Sequence, residues 1–114
     1  MEQRYILKEN IKNCPFEDIC GDFSTMEGAL AALHEETEKV FNDEPKLRDS
    51  DQWFYEKNKN GAIIRASLVK KDFVLPHNVK PGTPEYECAI QDEAYQSFSI
   101  ITCPSNVRGR YYAS

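Results

Sequence analysis

The sequence predicts an α+β domain, an antiparallel sheet with one or two helices packed on one face. Three observations carry this expectation. A capped amphipathic stretch occupies about residues 25–43, two alternating apolar runs flank Asn60-Gly61, and Thr83-Pro84-Glu85 opens a second helical stretch. The chain has 114 residues, and single domains run about 100–150, so one domain over 1–114 is expected. Six Tyr, six Phe and one Trp supply the aromatic content that disordered chains lack.

Arg4-Tyr5-Ile6-Leu7-Lys8 reads as a short strand, an apolar run with charged flanks. Cys14-Pro15 and Cys20-Gly21-Asp22 read as breakers, so residues 10–23 are expected as a loop. Phe16, Ile19 and Phe23 would tuck that loop against the core.

Ser24-Thr25-Met26-Glu27 has the pattern of a capping box, with Ser24 as cap and Glu27 reaching back to it. Met26, Ala29, Leu30, Leu33, Thr37, Val40 and Phe41 then recur at helical spacing. Pro45 should stop the helix, because it lacks a donor and clashes with the preceding turn.

The runs 52–57 and 62–69 read as a β-hairpin about Asn60-Gly61, a pair that tolerates positive φ. Taking those two as the loop sets Lys57 opposite Ile64, Glu56 opposite Arg65, Tyr55 opposite Ala66 and Trp53 opposite Leu68. A four-residue loop would shift the partners by two and keep the faces. Trp53, Tyr55, Ile64, Ala66 and Leu68 then form the core face, and Phe54, Glu56, Ile63, Arg65 and Ser67 the other.

Pro76, Pro81 and Gly82 mark a connector, and Thr83-Pro84-Glu85 pairs a cap residue with proline in the first turn. Residues 84–95 follow as a second helix, and Ser97–Cys103 as a strand ending at Pro104. The polar segment 105–114 is expected to be a loose tail. The resulting order, β-α-β-β-α-β, is that of the ferredoxin-like sandwich. Its main rival drops the second helix.

Residues 1–51 carry 13 acids and 6 bases, residues 52–82 carry 2 acids and 6 bases, and the chain is net −5. An acidic first half thus faces a basic middle. No run approaches the roughly 18 apolar residues of a membrane span. The opening residues hold no apolar signal stretch, which places the chain in the cytoplasm with its four cysteines reduced.

Catalytic chemistry finds little footing. Five residues separate Cys14 from Cys20, more than the two to four usual between paired zinc ligands. Glu17, Asp18 and Asp22 around them would raise a thiol's pKa, where a nucleophile needs it lowered. There is no glycine-rich phosphate loop and no serine elbow. Catalytic residues, metal and cofactors are therefore expected to be none.

The expected function is a small non-enzymatic accessory or regulatory domain that binds another protein, of the kind carried by phages and mobile elements. Glu35, Glu38, Asp43 and Glu44 on one side, with Phe54, Ile63 and Arg65 on the other, would make the contact. Phe54 and Ile63 are expected either to pack under the connector or tail, or to join two copies in a homo-oligomer. The alternative is a nucleic-acid or nucleotide module using Lys57, Lys59, Arg65, Lys70 and Lys71. Net acidity and the pairing of Glu56 with Arg65 oppose it.

Overall fold

The computed structural model describes residues 3–104. The segment 105–114, expected as a tail, lies outside the described residues.

The elements run β1 (Gln3–Ile11), β2 (Glu17–Phe23), α1 (Met26–Asp43), α2 (Leu47–Ser50), β3 (Asp51–Lys57), β4 (Ile63–Lys70), α3 (Pro84–Glu93) and β5 (Gln96–Pro104). The five strands form one sheet in the order β2-β1-β5-β4-β3, and every neighbouring pair is antiparallel. The α+β class expected from the sequence is the class observed.

The ferredoxin-like arrangement is not formed. A strand, β2, replaces the loop expected over 10–23 and pairs with β1, so the sheet has five strands in a different order. Of the two breakers in that segment, Cys14-Pro15 falls in the turn before β2, whereas Cys20-Gly21-Asp22 lies within the strand. Asn13 takes a left-handed φ of 67° in the turn, and the Cys14 amide donates to the Ile11 carbonyl at 3.0 Å. The strand itself, Glu-Asp-Ile-Cys-Gly-Asp-Phe, has poor β propensity. It exists because β1 offers an open ladder, with a bulge between Leu7 and Lys8 absorbing the irregularity. Phe23 packs against the core as expected, but Phe16 and Ile19 stand in solvent, 75% and 38% exposed.

α1 lies across one face of the sheet. Ala29 and Leu33 bury fully against Leu7, Ala66, Phe98 and Ile100. Burying a side chain such as Leu33 contributes about 2 kcal/mol. The Trp53 ring sits 6.0 Å from that of Phe41 and 5.8 Å from that of Phe98. The cap is Thr25, whose Oγ1 accepts from the Gly28 amide at 3.1 Å, one residue later than the Ser24 expected. Glu27 therefore falls one position short of the reciprocal bond that the box requires.

The hairpin register is the one read from Asn60-Gly61: Glu56 pairs with Arg65, Tyr55 with Ala66 and Trp53 with Leu68. Only Lys57 departs, pairing with Ile63 after a bulge. The loop is longer than two residues. The Gly61 amide donates to the Asn58 carbonyl at 3.0 Å, and Gly61 takes a φ of 82°. Asn58 Oδ1 accepts from the amides of Asn60 and Ala62. A turn followed by a left-handed glycine is the three-residue hairpin loop.

α3 packs on the face opposite α1, where the sequence expected both helices together. Its cap is Thr83, accepting from the Tyr86 amide at 3.2 Å, with Pro84 in the first turn. Ile90 is fully buried, and Gln91 Nε2 donates to Ser67 Oγ at 3.4 Å. Ser67 lies on the hairpin's second face, so both faces of β4 are covered. That is why Ala66, Ser67, Leu68 and Val69 are all buried.

Candidate functional site

The outward face of α1 presents Glu27, His34, Glu35, Glu38 and Lys39, all exposed. Asp43, the last helical residue, and Glu44, the C-cap, are exposed as well. The apolar stripe is turned to the sheet, so helical periodicity leaves these side chains outside. A shallow groove of about 660 Å³ runs along this face, lined by Ala31, His34, Glu35, Glu36, Glu38 and Lys39 among others. Glu38 meets Arg48 of α2 at 3.2 Å, and both are well exposed. The last turn of α1 holds no base. Asp43 and Glu44 thus sit at the negative end of the helix dipole, where acids are unfavourable.

The residues expected on the other side are differently placed. Phe54 is half-buried, its ring 5.7 Å from Phe73 of the connector and 6.5 Å from Tyr86 of α3. One of the two sequence expectations, packing under the connector, accounts for it. Ile63 is half-buried at the start of β4. Arg65 Nη1 donates to both carboxylate oxygens of Glu56, at 3.1 and 3.0 Å, and its Nη2 lies 3.0 Å from Glu87. The Glu56 side chain is only 8% exposed. A buried carboxylate needs such a partner, so Arg65 is engaged by the fold.

The five bases of the hairpin do not form one patch. Lys57 and Lys59 flank the turn, whereas Lys70 and Lys71 lie at the far end of β4, about 20 Å away at roughly 3.3 Å per residue. Arg65 lies between them with two carboxylates. A cleft of about 630 Å³ at the turn end is lined by Lys57, Lys59, Arg65, Glu56, Glu87 and Tyr86 among others. Both signs of charge share it. Burial, then the Glu56 charge, pushes the Tyr86 hydroxyl up from its ordinary value.

Sequence reasoning missed a buried polar residue, Asp51, which is 1% exposed. Ser50 Oγ donates to its Oδ1 and the Tyr95 hydroxyl to its Oδ2. Lys70 Nζ lies 3.7 Å from Oδ1 and 5.9 Å from the centre of the Tyr95 ring. Burial works against ionisation of Asp51, but the two hydroxyls and Lys70 outweigh it and hold the carboxyl below its usual value. Burial and the Asp51 contact push Tyr95 up. The cluster ties the end of α2 and the start of β3 to β4 and to the entry of β5. No local signal announced it, because Tyr95 is 44 positions from Asp51.

Cys14, Cys20 and Cys88 are exposed and Cys103 is buried. Cys20 is pushed up to about 11, first by partial burial of its sulfur and then by Glu36, Glu9 and Asp18. Among the described residues no group of three or more His, Cys, Asp or Glu side chains is arranged to hold a metal ion. No helix among them is long and apolar enough to cross a membrane.

Comparison with protein-family models, curated proteins and solved structures finds no match for this chain.

Proposed function

We propose that this chain is a small, non-enzymatic accessory domain that binds another protein through the acidic outward face of α1. Glu35, Glu38, Asp43 and Glu44 make the contact, and the partner presents a basic surface. The observation that carries the reading is the placing of Asp43 and Glu44. They stand at the dipole end that disfavours them and are exposed. A local rule broken without structural gain is expected where function sets the residue. Facing charges of opposite sign steer association and select partners.

Nucleic-acid binding through Lys57, Lys59, Arg65, Lys70 and Lys71 has weaker support. The bases are divided between two ends of the hairpin, and Arg65 is neutralised by Glu56 and Glu87. Phosphate recognition needs cations in register with a backbone.

The test uses Asp43→Lys and the double change Glu35→Lys, Glu38→Lys. The first should raise stability by about 0.5 kcal/mol, because a base suits the helix C-terminus. Both variants should lose the partner that the unchanged chain retains from its host's lysate. Undiminished retention by both variants would end this reading.

A further inference from the structure

The two edges of the sheet are β2 and β3, and they are not alike. β3 is half-buried or buried at every residue except Tyr55 and Lys57. In β2 the stretch Glu17–Cys20 is exposed throughout. A strand edge presents backbone N–H and C=O groups to whatever can pair with them. β2 contains neither proline nor lysine, and the devices it carries against pairing are the bulge at Cys20 and its acids.

The charges beside this edge select what it can accept. Asp18 is opposite Glu9, on the side of the sheet that carries α1. Glu36 of α1 approaches the same place, since Glu36, Glu9 and Asp18 all act on the Cys20 thiol, with Lys39 the opposing charge. On the other side Ile19, opposite Lys8, is 38% exposed, and Glu17 is taken by Lys8 at 2.6 Å. A second copy of the chain fits poorly. Antiparallel self-pairing over the regular stretch Glu17–Ile19 would set Asp18 against its own copy, and like charges directly opposite destabilise a sheet.

We propose that the open edge of β2 accepts an extended segment of a partner protein by strand addition, a segment whose side chains alternate between lysine or arginine and apolar residues. Its bases meet Asp18, Glu9 and Glu36 on the α1 side, and its apolar side chains cover Ile19 on the other. Backbone pairing supplies affinity and the alternate side chains supply selection. This rests on the reading of α1 as a partner face and carries that face onto the sheet edge. The bulge at Cys20 and the turn before Glu17, which holds Pro15, limit regular pairing to Glu17–Ile19.

The test titrates the full chain with a synthetic peptide alternating lysine and valine, followed by NMR of the backbone amides and their hydrogen exchange. The expected result is shifts and new exchange protection within Glu17–Cys20. Asp18→Lys should weaken binding about tenfold, a charge reversal at one cross-strand position. A control peptide with proline in place of valine keeps the charge but cannot donate from those positions, and it should not protect β2. Equal binding of the control, shifts confined to α1, or no binding at all would each overturn the strand-addition site. Shifts confined to α1 would leave the α1 reading standing. Loss of partner retention by the α1 variants bears on that reading alone.

Discussion

Asp51 shows what one residue can organise. Its carboxylate accepts from Ser50 and Tyr95 and lies near Lys70, so residues from three separate parts of the chain depend on it. Asp51→Ala strands a tyrosine hydroxyl in a half-buried site and should cost about 3 kcal/mol in chemical denaturation. The pH dependence follows from the two shifts. Asp51 is held below its unfolded value of about 3.9, so its contribution is present above that pH and is lost as pH falls through the folded value. Tyr95 is held above its unfolded value of about 10, so its contribution is present below that pH and is lost as pH rises. Thermal melts from pH 2 to 11 should show both losses, and Asp51→Asn should flatten the acid one.

Arg65 makes a second case at this scale. Arg65→Ala leaves the Glu56 carboxylate, 8% exposed, without its bidentate partner. The expected cost is about 3 kcal/mol, read from the urea midpoint. A binding assay on that variant would report folding before it reported contact.

At the scale of elements, the parts with local signals were legible in the sequence. The span and inward stripe of α1 follow from three- and four-residue apolar spacing. The start of α3 follows from Thr83-Pro84, and the register of β3 with β4 follows from Asn60-Gly61 between alternating runs. β2 was not legible, because its residues form a strand only once β1 is beside them. The side of the sheet that α3 covers was not legible either. Phe54 and Ile63 opposite the core face could have told of a second covering layer, but the same pattern suits a contact between copies. The acids Glu35, Glu38, Asp43 and Glu44 were readable as exposed from periodicity alone, whereas the Asp51 cluster depends on contacts distant in sequence. The packing of Phe54 against Phe73 and Tyr86 now gives a definite expectation: Phe54→Ala should lose about 3 kcal/mol in a thermal melt through the cavity it leaves. Thr25→Ala should cost about 1 kcal/mol by removing the α1 cap.

For the whole molecule, the sheet is closed by its two outer stretches of sequence. β1 pairs with β5 along its full length, from Gln3 opposite Pro104 to Ile11 opposite Gln96. β5 is also the strand between β1 and β4, and it carries Phe98 into the core. A chain ending before Gln96 would hold two separate hairpins with no strand to join them. Circular dichroism of that truncation should show no cooperative unfolding transition, because isolated hairpins are marginal in water.

The bulge that places Cys20 beside Glu9, Asp18 and Glu36 also sorts the four sulfurs by reactivity. With its acid constant pushed up to about 11, Cys20 is overwhelmingly the unreactive thiol at pH 7. Cys103 is shut away from solvent, which leaves Cys14 and Cys88 to take up a maleimide dye first. Native protein can therefore be tagged at a hairpin tip and on a helix without engineering.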